Sequence, residues 1–287
     1  MTEKLRTATL AAACMLLLVA QPTAAQTYSN IVLSDGPLFY WNFNEAGDAD
    51  PAVDLVGADA GDNLLAEGNA TRVASGATLG GLSLGRAASF DGTQFTKFFS
   101  GSLTPATTPD AWALEMWIRP QGADPGDRFD YLLEARGPNN APGILFDYGN
   151  NDLVEVFRGG QRTSGAGPAL QNDAWSHIVI GNFGAANDRI DFWINGAAGA
   201  SVAFAGDSPF GTEAIAVGNS VPGDPNFDHF NGQIDELAVY DLTGLDVAAI
   251  AAKLADIAGH ATAVPEPAAL LVALAAAPLF WQSRRRC

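Results

Sequence analysis

Between Tyr40 and Tyr240, apolar and polar residues alternate in short runs that Gly, Pro, Asn and Asp interrupt, and a period of two in such runs predicts strands. In Trp112–Pro120, Trp112, Leu114, Met116 and Ile118 fall on one face, with Ala113, Glu115, Trp117 and Arg119 on the other. The first face belongs in a core. The second is mixed, which suits a sheet looking onto solvent or a shallow groove. Ile190, Phe192 and Ile194 repeat the alternation, and Asn195-Gly196 predicts a type I′ turn into a returning strand over Ala197–Phe204. Trp175–Ile180, Glu213–Val217 and Gln233–Asp241 read as further strands. Across Asp246–Ala258 the rhythm changes: Val247, Ile250, Leu254 and Ile257 recur at helical spacing until Gly259, predicting one short helix that closes the domain. The long irregular stretch is Ala46–Asn69. Many short strands with turn signals and a single helix predict an all-β sandwich of jelly-roll type.

The two ends follow other rules. Lys4 and Arg6 precede the apolar run Leu10–Ala20, and Thr23-Ala24-Ala25 follows, which is the order of a secretory signal with cleavage expected after Ala25. Cys14 does not read as a lipoprotein acceptor, because it lies inside that apolar run with Ala11 three residues before it. At the other end Val264-Pro265-Glu266-Pro267 leads into Ala268–Trp281, fourteen residues without a charge, and then into Ser283-Arg284-Arg285-Arg286. Fourteen falls short of the roughly 20 residues that a spanning helix needs, so the run makes a marginal anchor with its arginines on the cytoplasmic side. This order resembles the PEP-CTERM sorting signal of Gram-negative bacteria. The resemblance implies that an exosortase, a membrane transpeptidase, recognises Pro265, Glu266 and Pro267, while Arg284, Arg285 and Arg286 orient a tail held transiently in the inner membrane. The expected division is a signal peptide over 1–25, a domain over 26–260 and a sorting and anchor segment over 261–287. The expected location is the cell surface or extracellular matrix.

The whole chain carries 32 acids against 15 bases, a net charge of −17, and without its two ends 30 acids face 10 bases. Such a surface repels phosphate backbones, which excludes a nucleic-acid partner. Cys14 and Cys287 both lie in the terminal segments, so the expected domain has no thiol for a disulfide, a zinc site or a nucleophile. His177, His229 and His260 are too scattered for a motif such as HExxH.

Seven fragments recur in order through the centre: Tyr40-Trp41-Asn42-Phe43-Asn44-Glu45, Ser89-Phe90-Asp91-Gly92, Trp117-Ile118-Arg119-Pro120, Trp175-Ser176-His177-Ile178-Val179, Phe192-Trp193-Ile194-Asn195-Gly196, Val217-Gly218-Asn219 and Phe230 to Tyr240. Together they resemble the LamG-like, concanavalin A-like lectin/glucanase domains over residues 36–258. Ser176 stands where a second His is common, and Asn44 where Asp is common. The resemblance implies a concanavalin A-like jelly-roll β-sandwich.

Asp235 is the most informative acid. On a regular strand it shares a face with Leu237 and Val239, while Glu236 points away with Ile234, Ala238 and Tyr240. An Asp on an apolar face must be paired, either by backbone N–H groups or by a calcium ion, as in some members of the resembled superfamily. Asn42, Asn44 and Asp91, at strand ends, are the expected co-ligands, and no EF-hand spacing accompanies them. Asp91-Gly92 also reads as a turn, His177 as a sheet histidine, and Asp48, Asp50, Asp54, Asp59 and Asp62 as a solvated acidic loop.

Glycoside hydrolysis needs two carboxyl groups about 5–5.5 or 6.5–9.5 Å apart, and glucanases of the resembled fold carry them on one strand as E-x-D-x-E or E-x-D-x-x-E. Here Asp235 and Glu236 are adjacent, and Glu115 has Arg119 where a second acid is wanted. No GxSxG elbow is present. No catalytic residue is assigned, and the chain reads as a non-enzyme. Trp117, Trp193 and Trp175 alternate away from the core face, where they either stack on sugar rings or cover the sheet. The expected function is a non-catalytic, secreted module that binds a glycan or protein of the extracellular matrix. A hydrolase of the same fold and a structural surface protein without a specific ligand stay open.

Overall fold

The alternation resolves into two antiparallel sheets in a computed structural model of the chain. It describes residues 24–57, 60–79, 82–92, 98–104, 108–122, 130–136, 144–149, 153–158, 161–163, 170–204, 210, 214–219 and 229–262. The expected signal segment before residue 24, Asp59 of the acidic loop, and the expected sorting residues Pro265, Glu266, Pro267, Arg284, Arg285 and Arg286 lie outside the described residues. Among those described, no helix is long and apolar enough to cross a membrane.

A helix α1 (Ala24–Ser34) precedes strands β1 (Phe39–Trp41), β2 (Leu65–Glu67), β3 (Thr71–Ala74), β4 (Thr78–Leu79), β5 (Leu82–Ser83) and β6 (Arg86–Asp91). Then come β7 (Phe98–Ser102), β8 (Trp112–Pro120), β9 (Tyr131–Arg136), β10 (Ile144–Gly149), β11 (Leu153–Arg158) and β12 (Gln161–Arg162). The chain continues through β13 (Ser176–Asn182), β14 (Arg189–Ile194), β15 (Ala197–Ala203), β16 (Ala214–Val217), β17 (Asn231–Asp241) and helix α2 (Val247–Gly259). One sheet of eight strands runs β15-β14-β13-β8-β17-β6-β3, with β1 also on β17; the second, of seven, runs β12-β11-β10-β9-β16-β7-β2. This is the jelly-roll sandwich that the pattern predicts.

The sandwich core forms from the inner faces of both sheets. Trp112, Leu114, Met116 and Ile118 of β8 meet Leu133, Val154, Val156, Ile215 and Val217 of the facing sheet, all buried in one apolar cluster. Asn195 and Gly196 both have positive φ, 51° and 79°, as a type I′ turn requires. Helix α2 begins where the spacing predicts, because Asp246 caps it by accepting the N–H of Ala249.

Three expectations are corrected. First, two α-helices rather than one lie among the described residues. In α1 only Tyr28 and Val32, four residues apart, are buried hydrophobics among its described side chains, and the Ser, Asn, Gln and Thr around them give a weak helical pattern. Second, the outer face of the eight-stranded sheet is covered over its central strands. Ala113, Trp117, Val179, Trp193, Ala238 and Tyr240 pack there in a second apolar cluster with Tyr28 and Val32 of α1 and Ile250, Leu254 and Ile257 of α2. Third, the acidic loop is only in part a solvated face, with Asp48 and Asp50 exposed but Asp54 and Asp62 buried. Arg72 donates to the carbonyls of Gly47, Asp48 and Asp50 and pairs with Glu45 at 2.9 Å. Asp54 accepts the N–H of Tyr40, and Asp62 accepts the N–H and hydroxyl of Thr104.

Candidate functional site

The polar chemistry of the described residues concentrates beneath the two helices, on the outer face of the eight-stranded sheet. Glu115 projects there from the middle of β8 and is 0% exposed. Its Oε1 accepts from the Tyr28 hydroxyl at 2.7 Å and lies 2.8 Å from His177 Nε2 and 2.9 Å from His260 Nδ1, while Oε2 accepts from Tyr240 at 2.5 Å. The Trp117 indole N–H donates to the Tyr28 oxygen at 2.9 Å, so that residue closes a relay from α1 to β8. Burial alone would raise the Glu115 pKa, but the hydrogen bonds and attraction of His177 and His260 outweigh it and hold the carboxyl well below the carboxylate range. It is an ionised acid engaged by four side chains.

Asp235 and Glu236 lie nearby on β17, in an arrangement that a regular strand does not produce. Asp235 pairs with Trp117 and Ala238 with Glu115, so Glu236 and Leu237 both stand opposite Met116 in a β-bulge. Glu236 takes a φ of 54° to make the extra turn. The bulge reverses the expected orientation: Asp235 turns to the outer face beside Trp117, while Leu237 and Val239 stay in the sandwich core. Asp235 and Glu236 are both 0% exposed. Tyr40 donates a short hydrogen bond to Glu236 and shares another with the Ser29 hydroxyl of α1 at 3.0 Å. The Ser75 hydroxyl and the Glu236 N–H lie near Asp235, yet neither of its oxygens has a hydrogen-bond partner of normal geometry. Burial lifts both carboxyl groups far above their ordinary range, and the charge of Asp235 raises Glu236 further.

The expected calcium set does not converge. Asn44 gives its Oδ1 to the N–H of Arg86 at the start of β6, whereas Asp91 ends that strand five residues later, roughly 17 Å away at strand rise. Asn42 uses its Oδ1 on the N–H of Asn44 and its Nδ2 on Ser29. Among the described residues no three His, Cys, Asp or Glu side chains gather as a metal site would require. Both Asp235 oxygens lack a hydrogen bond of normal geometry, but the set of Asp235, Asn42, Asn44 and Asp91 does not gather around one point and does not fit a calcium ion.

The three tryptophans are likewise placed away from an open sugar face. Trp117 and Trp193 are 6% and 9% exposed within the outer cluster. Trp175 is half-buried against the same cluster, with its indole nitrogen so near Gly76 that an added Cβ would lie 2.8 Å from it. Sequence reading missed Tyr28, Asp35 and His260, because the imidazoles that meet on Glu115 come from residues 83 apart and α1 had no visible pattern. On the other sheet, Glu134 and Glu155 are also buried. An opening of about 500 Å³ lies beside that sheet, lined by Asn63, Leu65, Ser100 and Ser102 with Gly61, Gly101, Ala214 and Ile215, and among the described residues no charged side chain lines it.

Residues 90–251 match the laminin G-type family described as the concanavalin A-like lectin/glucanases superfamily. The chain belongs to that superfamily. A Trypanosoma rangeli sialidase variant displaying trans-sialidase activity is 14% identical at a TM-score of 0.53, with 79% of this chain matched to 34% of that one. The binding domain of Paraclostridial Mosquitocidal Protein 1 is 15% identical at a TM-score of 0.50, covering 77% of this chain and 52% of that one. Domain 4 of an extracellular arabinanase from Geobacillus stearothermophilus, solved with arabinotriose, is 17% identical at a TM-score of 0.48, covering 77% and 98%. This chain thus spans about a third of the sialidase and about half of the mosquitocidal chain. At these identities the likeness shows the fold. No curated protein matches the sequence.

Proposed function

We propose that the chain is an exported, non-catalytic binding module that engages a neutral glycan of the extracellular matrix, delivered there by an N-terminal secretory signal and an exosortase acting at Pro265, Glu266 and Pro267. One observation carries the non-catalytic part: Glu115, Asp235 and Glu236, the acids gathered on one face, are each 0% exposed beneath α1 and α2. A hydrolase needs two carboxyl groups flanking a bond that water and substrate can reach, and three fully buried acids under two helices, one of them engaged by four side chains, do not meet that need. The neutral character of the ligand rests on the opening beside β7 and β16. Its hydroxyl and amide groups at Ser100, Ser102 and Asn63 sit next to Leu65, which is 54% exposed, and none of the described lining residues carries a charge, the nearest acid being Glu67, 3.4 Å from the Ser100 hydroxyl. A mix of polar groups and an apolar patch is what sugar faces and edges require. That a domain named for binding shares the scaffold supports the reading.

The test is sedimentation of the purified protein with insoluble cellulose, xylan and arabinan, followed by assay of the supernatant for reducing ends. Binding to at least one polysaccharide without new reducing ends, weakened about tenfold or more by Ser100→Trp, is the expected result. Reducing ends that appear with the wild type and vanish with Glu115→Gln would establish the hydrolase instead. Absence of binding to all three would leave a structural coat protein as the better account.

A further inference from the structure

Elements from the two ends of the domain meet at one imidazole. His260 follows the last turn of α2, and its ring is held on both sides, with Nδ1 2.9 Å from Glu115 Oε1 and Nε2 2.7 Å from Asp35 Oδ2. Asp35 directly follows α1, and its other oxygen takes Lys253 Nζ of α2 at 2.7 Å. A neutral imidazole has one N–H and can donate to only one of these carboxylates, leaving a lone pair against the other; an imidazolium donates to both. The proton on this ring therefore decides whether α1, α2 and β8 are joined or whether one junction becomes repulsive.

We propose that His260 is a proton-operated clasp, which fastens both terminal helices over the buried acids when protonated and lets them lift when it loses its proton. The groups that face it are few. Tyr28 of α1 meets the ring edge-on at 6.2 Å, Glu115 comes from β8, and Asp35 and Lys253 lie on the far side. Behind Glu115 stand His177 of β13 and Tyr240 of β17, with Glu236 near enough to act on Tyr28. Burial and the nearby Glu115 push the tyrosines up, so they stay protonated across the useful range, and Glu115 stays ionised. For His260 itself, burial lowers the pKa, but the hydrogen bonds and charges of Glu115 and Asp35 outweigh it and raise the value above that of a free histidine. The sign follows: the folded state binds this proton more tightly than the unfolded one, so the stabilisation is complete below the ordinary histidine pKa and is lost as pH rises through the folded value. The inference does not depend on the ligand assigned above.

Hydrogen-exchange protection factors measured on the purified protein from pH 5 to pH 9, with the His260 imidazole followed by NMR, test it. Protection of α1 and α2 should fall as His260 deprotonates, by about tenfold for each unit by which folding raises its pKa, while β8 and β13 keep theirs. His260→Gln should hold both helices at the high-pH level throughout. Asp35→Asn, which leaves the bond to Glu115, should shift the midpoint to lower pH, and it decides the matter alone where His260→Gln does not fold. Helix protection that is independent of pH, an equal loss in β8 and β13, or an unmoved midpoint in Asp35→Asn would overturn the clasp.

Discussion

Glu236 holds a φ of 54° in the middle of a long strand, a conformation that costs a non-glycine residue of order 1–3 kcal/mol. The surroundings hold it there, because Tyr40 binds its carboxyl group and Leu237 beside it returns to the sandwich core. The consequence falls on Asp235, which turns beneath the helices and is pushed up by burial. A carboxyl group whose folded pKa is raised contributes its full stability at acid pH and loses it as pH rises toward the folded value. Asp235→Asn removes that loss. Urea midpoints of wild type and variant at pH 5 and pH 8 should therefore show the variant gaining on the wild type at the higher pH; a difference that is the same at both would mean that Asp235 is ionised throughout.

At the scale of elements, α2 sits on β13 through a glycine. A Cβ at Gly181 would lie 2.3 and 2.4 Å from the two methyl carbons of Leu254, so the close seat of this helix requires a residue without a side chain. Gly181→Ala is expected to cost about 1–3 kcal/mol in urea unfolding, whereas an unchanged midpoint would show that the helix is not seated as described. Much of this level was legible in the sequence. The alternation of Trp112, Leu114, Met116 and Ile118, the Asn195-Gly196 turn and the helical run over Asp246–Ala258 all stand, within a residue, where the periodicity and turn chemistry put them. The bulge in β17 was not, because a period-two reading assumes one residue per position on each strand, and one extra residue reverses every face before it. Helix α1 was hidden for a related reason: its identity rests on Tyr28 reaching Glu115 and Trp117, almost ninety residues away, and not on local propensity. The tryptophans were correctly placed on the outer face, and only the cover supplied by the helices was invisible.

At the scale of the whole molecule, the two ends of the domain do the covering. The expected signal-cleavage site falls in the first turn of α1 and α2 precedes the expected sorting segment, and both helices are fastened to Glu115, through Tyr28 and His260. An acidic chain of net charge −17 thus hides three acids of its outer sheet face. The most direct measurement of that claim is labelling of the native purified protein near neutral pH with a water-soluble carbodiimide and an amine, read by peptide mass spectrometry. Surface acids such as Asp188 should react while Glu115, Asp235 and Glu236 stay unlabelled until denaturant is added. Labelling of any of the three in the native protein at the rate of Asp188 would contradict the account.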